Sequence, residues 1–248
     1  MNYLVETRNI TKRFGGLTAV NEVSFGVYPG EIVAVLGDNG AGKSTLIKMI
    51  SGVYQPDGGQ IFYQGENIVL HSPMDALSRG IETIYQDLAL AENLNVYSNI
   101  FLGRERTKRL LGFLNVLDHQ YMFDESKAVL EKLDIKIPSL KNNVRTLSGG
   151  QRQAVAISRS IYWNAKLLIM DEPTAALGVA QQQQVLDLVK SLKEHGIGII
   201  LISHQMQDVF AVADRIVVMR RGSKVGDLKK EETNTDEVVS LIVGAEMV

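Results

Sequence analysis

Five consecutive apolar residues, IVAVL at 32–36, run directly into GDNGAGKST at 37–45, and a helical pattern follows to about Ser51. No other junction limits the fold as strongly. An apolar run of that kind predicts a strand buried on both faces, the condition of a parallel sheet covered by helices. Glycines then let backbone N–H groups curl around an anion, and a helix beginning at Gly42 aims its own unpaired N–H groups at the same point. The pattern G-x-x-x-x-G-K-[ST] is filled from Gly37 to Ser44. In that pattern Lys43 adds charge at the β and γ phosphates of a nucleotide, and the Ser44 hydroxyl ligates Mg²⁺. Asn39, Gly40, Ala41, Gly42 and Thr45 belong to the same loop.

Strand–helix alternation returns later in the chain. Strands are expected at 167–170, 199–203 and 215–219, with helices at 179–195 and 205–213, an order that argues for a largely parallel sheet. The first sixty residues read as short strands separated by the turns YPGE and DGGQ. From about 87 to 163 the pattern becomes helical, clearest at 122–135 and in GGQRQAVAISRSIYW, where Ala154, Ile157 and Ile161 share a face. The reading is one domain over 1–248: a core of 1–86 and 164–248 interrupted by a helical subdomain, 87–163. QQQQ at 181–184 is expected on a solvated helix face.

At 248 residues and 45% hydrophobic the chain can bury one large core. Its charge of -2 is interspersed, with RERTKR at 104–109 the longest basic stretch, so nucleic acid is not an expected partner. The absence of cysteine excludes disulfides, thiolate metal sites and a cysteine nucleophile. MNYLVETRNI has neither a basic start nor an apolar h-region, so no export signal is expected. No unbroken apolar run exceeds five residues, the length of 32–36, against the roughly 20 residues of a spanning helix, so a membrane role must come through a partner.

Several further residues are candidates for chemistry. In LLIMDEPT an apolar strand delivers Asp171 and Glu172 to the carboxyl edge of the sheet, where open α/β folds bind ligands. Asp171 suits Mg²⁺ and its water shell, and Glu172 suits polarisation of an attacking water. Gln86, after the strand-like IETIYQ, is a candidate to position water or meet the metal, and His204, in LISHQ, also leaves the carboxyl edge. Phe14 offers an aromatic face to a base, against the alternative of core packing. In LSGGQRQ, Ser148 is a good N-cap, and the helix opening through Gly149, Gly150 and Gln151 presents a second anion site. It lies outside the core that carries Lys43. One economical reading is that it completes a nucleotide site on a second subunit, two chains closing head to tail on two nucleotides.

GDNGAGKST, Gln86, LSGGQRQ, LLIMDEPT and ISH occur in the order and spacing of ATP-binding cassette (ABC) transporter ATPases, which the chain resembles along nearly its whole length. The resemblance implies a RecA-like P-loop core with an N-terminal antiparallel β subdomain and an inserted α-helical subdomain. It implies an ATPase that dimerises around two ATP molecules with Mg²⁺ and drives a membrane permease, placing the chain in the cytoplasm against the inner face of the membrane. By the same resemblance Phe14 stacks on adenine, Gln86 links the site to the permease, and His204 contacts the γ-phosphate. Residues 80–105 and EPTAALGVAQ look like the ATPases of bacterial ribose, xylose and fructose importers. That similarity implies a sugar-binding protein further along the complex and a second cassette from another copy or another protein.

Gly178 departs from the family pattern, which places an aspartate there, and communication between paired sites turns on that loop. Two alternatives stay open: a soluble cassette ATPase acting on another macromolecule, and a non-hydrolysing, ATP-dependent dimerisation module. Residues 88–102, rich in leucine, valine and phenylalanine, read either as a docking groove for a permease helix or as local core.

Overall fold

The computed structural model describes residues 2–110 and 113–244. In chain order the first elements are β1 (Val5–Phe14), β2 (Leu17–Val27), β3 (Ile32–Leu36), α1 (Lys43–Ile50), β4 (Gly58–Tyr63), β5 (Glu66–Ile68), α2 (Pro73–Ser78) and β6 (Ile81–Ile84). Then come α3 (Val96–Ile100), β7 (Thr107–Leu110), β8 (Leu114–Leu117), α4 (His119–Lys132) and α5 (Gly149–Tyr162). The chain continues with β9 (Leu167–Asp171), α6 (Val179–Glu194), β10 (Gly198–Ile202), α7 (Met206–Val212), β11 (Arg215–Arg220), β12 (Ser223–Lys229) and α8 (Thr235–Val243).

Two compact units emerge. The first comprises Met1–Gln86, Ala165–Pro173 and Val189–Val248, and the second Asp87–Asn164 and Thr174–Leu188. This division and the one drawn from sequence differ at Thr174–Leu188, which groups with the second unit. The packing explains it: a Cβ on Gly149 would lie 2.5 Å from Leu177 Cδ2, and one on Gly150 3.2 Å from Gln181 Cβ. The small residues at the start of α5 therefore admit the 174–188 segment at close range.

In the first unit a six-stranded sheet has the order β12-β11-β3-β10-β9-β6. All its pairings are parallel except that of the edge strand β12 with β11. β3 and β10 are buried at every position, as an apolar run covered on both faces requires. A second, antiparallel sheet, β2-β1-β4-β5, faces it. One core lies between them: Val33, Val35, Ile169, Ile200 and Val217 meet Val5, Ile10, Val23 and Ile61, with Leu46, Ile47, Met49 and Ile50 of α1 among them.

The second unit is built on α3, α4 and α5. Phe101 is fully buried, with its ring centroid 4.7 Å from that of Tyr162 and 5.7 Å from that of Trp163. The indole N–H of Trp163 donates to the Ile100 carbonyl at 3.0 Å. Asn99 is equally buried: its Nδ2 donates to the carbonyls of Ala91, Leu94 and Asn95, and its Oδ1 accepts from the Ala91 N–H. An amide fully satisfied in this way fixes the irregular turn before α3 without an unpaired polar group. Val96 and Ile100 are also fully buried, so with Phe101 they form local core, whereas Leu88, Leu90 and Leu94 are half-buried and Leu102 is exposed.

Two expectations are corrected in this unit. Residues 87–163 are not helical throughout, because β7 and β8 form an antiparallel hairpin in register Thr107↔Leu117 to Leu110↔Leu114. The mixed basic and apolar run there has no 3.6-residue phase to hold a helix face. In α5, Ala154 and Ile161 are only half-buried, whereas Gln153, Val155, Ala156, Ile157, Ser158 and Ser160 are buried. A helix enclosed around most of its circumference has no single apolar stripe for sequence to reveal. Leu111, Gly112 and the end of the chain at Val248 lie outside the described residues.

Candidate functional site

The parallel sheet gathers its chemistry at one edge. β3 ends at Leu36, directly before Gly37, β9 at Asp171, β10 at Ile202, before Ser203 and His204, and β6 at Ile84, with Tyr85 between it and Gln86. Register holds these ends level: Val35 pairs with Ile202, Ile202 with Asp171, and Met170 with Ile84.

The loop from Gly37 to Gly42 carries the backbone from β3 into α1. Gly42 is the N-cap at φ 102°, and a Cβ there would sit 2.5 Å from the Ala19 carbonyl oxygen. Only glycine suits both the backbone angle and the close approach of β2. No side chain caps α1, which leaves its first-turn N–H groups for an anion. Lys43 folds back on the loop, its Nζ donating to the carbonyls of Gly37 at 2.7 Å and Asp38 at 3.0 Å.

Phe14, Leu17, Thr18 and Ala19 line a cleft of ≈ 540 Å³ together with Asn39, Gly40, Ala41, Gly42, Lys43, Ser44, Thr45, Arg221 and Gly222. That volume suits a small-molecule ligand. Phe14 is 43% exposed and meets Tyr54 edge-on at 5.3 Å, so its ring is available to the cleft rather than enclosed in the core.

Glu172 has φ +52°, a left-handed conformation that costs a β-carbon-bearing residue energy and that recurs where side chains are held for chemistry. Its N–H donates to the Ile202 carbonyl at 2.9 Å. Its Oε2 lies 2.8 Å from Nδ1 of His204 and 3.4 Å from the His204 backbone N. Since a carboxylate can only accept, the proton of this contact belongs on Nδ1. The Glu172 side chain is 18% exposed and that of His204 71%, so the acid faces inward and the imidazole reaches solvent.

The charges act on one another. Burial lowers the pKa of Lys43, and the negative charges of Glu172, Asp38 and Asp171 oppose that shift. Burial and then the neighbouring Glu172 raise the pKa of Asp171, against the pull of Lys43 and Lys48. An anion on the loop restores the preference of Lys43 for its proton, and a cation beside Asp171 restores that of the carboxylate for ionisation. Affinity for a phosphate-bearing ligand held by Lys43 is therefore expected to be full below the pKa of Lys43 in the ligand-free chain and to fall as pH rises through it. Titrating the ATP Kd from about pH 7 to about pH 10 checks this, and in Lys43→Arg, whose guanidinium stays charged, the alkaline decline should disappear.

Ser148 heads α5 in the second unit, in a reciprocal cap. Its Oγ accepts from the Gln151 N–H at 3.2 Å, and its own N–H donates to Gln151 Oε1 at 3.0 Å. The side chains of Ser148 and Gln151 are thus engaged with each other, and the N–H groups of Gly149 and Gly150 remain as the first-turn donors that this box does not use. Sequence patterns had pointed to the loop and the acids but not to Leu17, Thr18, Ala19, Arg221 and Gly222. The available signal was RRG between two strand-like runs, a turn without a motif of its own.

The profile described as ABC transporter matches residues 20–175, and one described as P-loop domain matches residues 126–239. The xylose/arabinose import ATP-binding protein of Sulfolobus acidocaldarius is 49% identical over 98% of this chain and 94% of its own length. The fructose import ATP-binding protein of Rhizobium meliloti is 44% identical over 98% of this chain and 94% of its own. A ribose import ATP-binding protein of Escherichia coli O157:H7 is 40% identical over 97% of this chain, which spans only 46% of that protein. Among solved structures, an ATP-binding cassette of an ABC transporter in its ADP conformation matches with a TM-score of 0.83 at 26% identity, over 98% of this chain and 100% of that one. With both its length and its fold accounted for in this way, the chain belongs to the ABC transporter family and is one of its ATP-binding, ATP-hydrolysing cassettes.

Proposed function

We propose that this cassette energises uptake of a monosaccharide, working as one of a pair beneath a membrane permease that receives its sugar from a binding protein. Sugar import is supported by relatives named for xylose/arabinose, fructose and ribose. No described helix is long and apolar enough to cross a membrane, so attachment to the inner face of the membrane would run through the permease. Within the proposed assembly the first unit holds the nucleotide, and the second presents Ser148, Gly149, Gly150 and Gln151 to the nucleotide of the second cassette.

The Glu172–His204 contact carries the hydrolytic part of the reading. Glu172 accepts a proton from the water whose oxygen bonds to the γ-phosphorus, while the bond from that phosphorus to the bridging oxygen of ADP breaks. His204, its Nδ1–H held by Glu172, turns Nε2 to the γ-phosphate, where a hydrogen bond requires a proton on that nitrogen as well. Phe14 stacks on adenine, and Gln86, leaving β6, relays the state of the site to the permease.

Mg²⁺ fits the donor set through Ser44, Asp171 and Gln86. The described residues hold no cluster of three or more histidine, cysteine or carboxylate ligands, and Mg²⁺ ordinarily takes one or two carboxylates plus substrate phosphates. Bound there, the ion would supply neutralisation of developing phosphate charge. The transport reading is tested by deleting the gene in its own host. Uptake of one labelled monosaccharide among xylose, arabinose, fructose, ribose and galactose should be lost and then restored by the wild-type gene but not by Lys43→Ala. Unchanged uptake of all five would remove sugar import from the proposal and leave the ATPase.

A further inference from the structure

β11 and β12 are joined by a two-residue turn, with Arg220 paired to Ser223 across its base. Arg221 has φ +48° and Gly222 φ +84°, the two positive angles of a type I′ turn. The first of those positions favours asparagine, aspartate or glycine, so an arginine there adopts its conformation at a cost. The turn is also fixed in place. The Gly222 N–H donates to the Ala41 carbonyl of the phosphate loop at 3.0 Å, and the Gly222 carbonyl accepts from the Asn21 N–H at 2.8 Å. Arg221 is exposed and lines the same cleft as Lys43 and Phe14.

Neighbouring cations are already engaged. Arg215 pairs with Glu31 and Asp227, Lys224 with Asp227 and Lys229 with Glu232, and Arg220 donates to the Leu241 carbonyl. Among the described residues the Arg221 guanidinium has no ion-pair or hydrogen-bond partner. An unpaired cation held on a strained turn at the rim of a phosphate cleft is placed for an anion of the ligand.

We propose that Arg221 is a second phosphate-binding cation of this cleft, pairing with a nucleotide phosphate oxygen that Lys43 does not hold. The inference rests on ATP occupying the cleft. Its charge complements the triphosphate, whereas the aspartate that such a turn ordinarily accepts would repel it.

The test uses Arg221→Asn, which removes the cation while installing the Asn-Gly pair that a type I′ turn prefers. Kd values are measured for ATP and for adenosine at low and at high salt, alongside the melting temperature without ligand. The ATP Kd is expected to rise about five- to tenfold at low salt, with adenosine unchanged, the melting temperature maintained, and the difference shrinking to about twofold or less near 0.5 M salt. Arg221→Lys should recover most of the loss. An unchanged ATP Kd in Arg221→Asn, or an equal loss for adenosine, overturns the assignment and leaves the cleft as the ATP site. Failure of the wild-type chain itself to bind ATP overturns both.

Discussion

Replacing Glu172 with glutamine is expected to lower ATP turnover by about 10² to 10⁴-fold, the usual contribution of a positioned general base. The substitution isolates proton transfer, because glutamine keeps the length of glutamate and retains a carbonyl oxygen to accept from Nδ1 of His204, where Oε2 now lies at 2.8 Å. Folding should not suffer. Glu172 raises the pKa of the partly buried Asp171 by its proximity, so removing its charge relieves a repulsion. The left-handed backbone at Glu172 is borne equally by glutamine. The variant should therefore bind ATP at least as well as the wild type, melt no lower, and release phosphate far more slowly in a steady-state assay. Turnover equal to that of the wild type would exclude Glu172 as the base and leave another group to activate the water.

The parts of the molecule that were legible in the sequence are those governed by short-range rules. β3, β9 and β10 announced themselves as apolar runs because strands covered on both faces admit little else, and the structure places them within a residue of the expected ends. Gly42 was legible because one backbone angle and one close approach both require glycine. The misread parts depend on partners distant in the chain. β7 and β8 share a stretch whose basic and apolar residues have no strict period, and pairing across the hairpin rather than local preference decides their state.

The site shows the same split. Lys43, Asp171, Glu172 and His204 follow strands whose ends were predictable, so the structure brings them to one edge as the sequence order implied. Arg221 had no such marker. It reaches the cleft only because Gly222 is bonded to Ala41 and Asn21, residues about 180 and 200 positions earlier in the chain. The two glycines of LSGGQ were read for what their N–H groups offer an anion, and the contact of Gly149 with Leu177 adds a packing reason that no local pattern contains.

In the Glu172→Gln chain held at saturating ATP, a dimer is expected on a sizing column, and adding Ser148→Asp should weaken that dimer by about 10²-fold or more. Aspartate is chosen because it caps a helix as well as serine does, so α5 keeps its N-terminal hydrogen bond from Gln151 N–H, now 3.2 Å from the serine oxygen. A carboxylate is also favourable at a helix N-terminus, so the fold should be retained. What changes is the charge presented outward. Beside a partner's triphosphate it would be a like charge at a few ångströms, worth several kcal/mol at the effective dielectric of a partly buried site. ATP bound within each chain's own cleft is untouched, so nucleotide content per monomer should stay constant while the association constant falls. A double variant that dimerises as tightly as Glu172→Gln alone would take Ser148 out of the partner's site and leave α5 as a well-capped helix whose glycines serve the packing of Leu177.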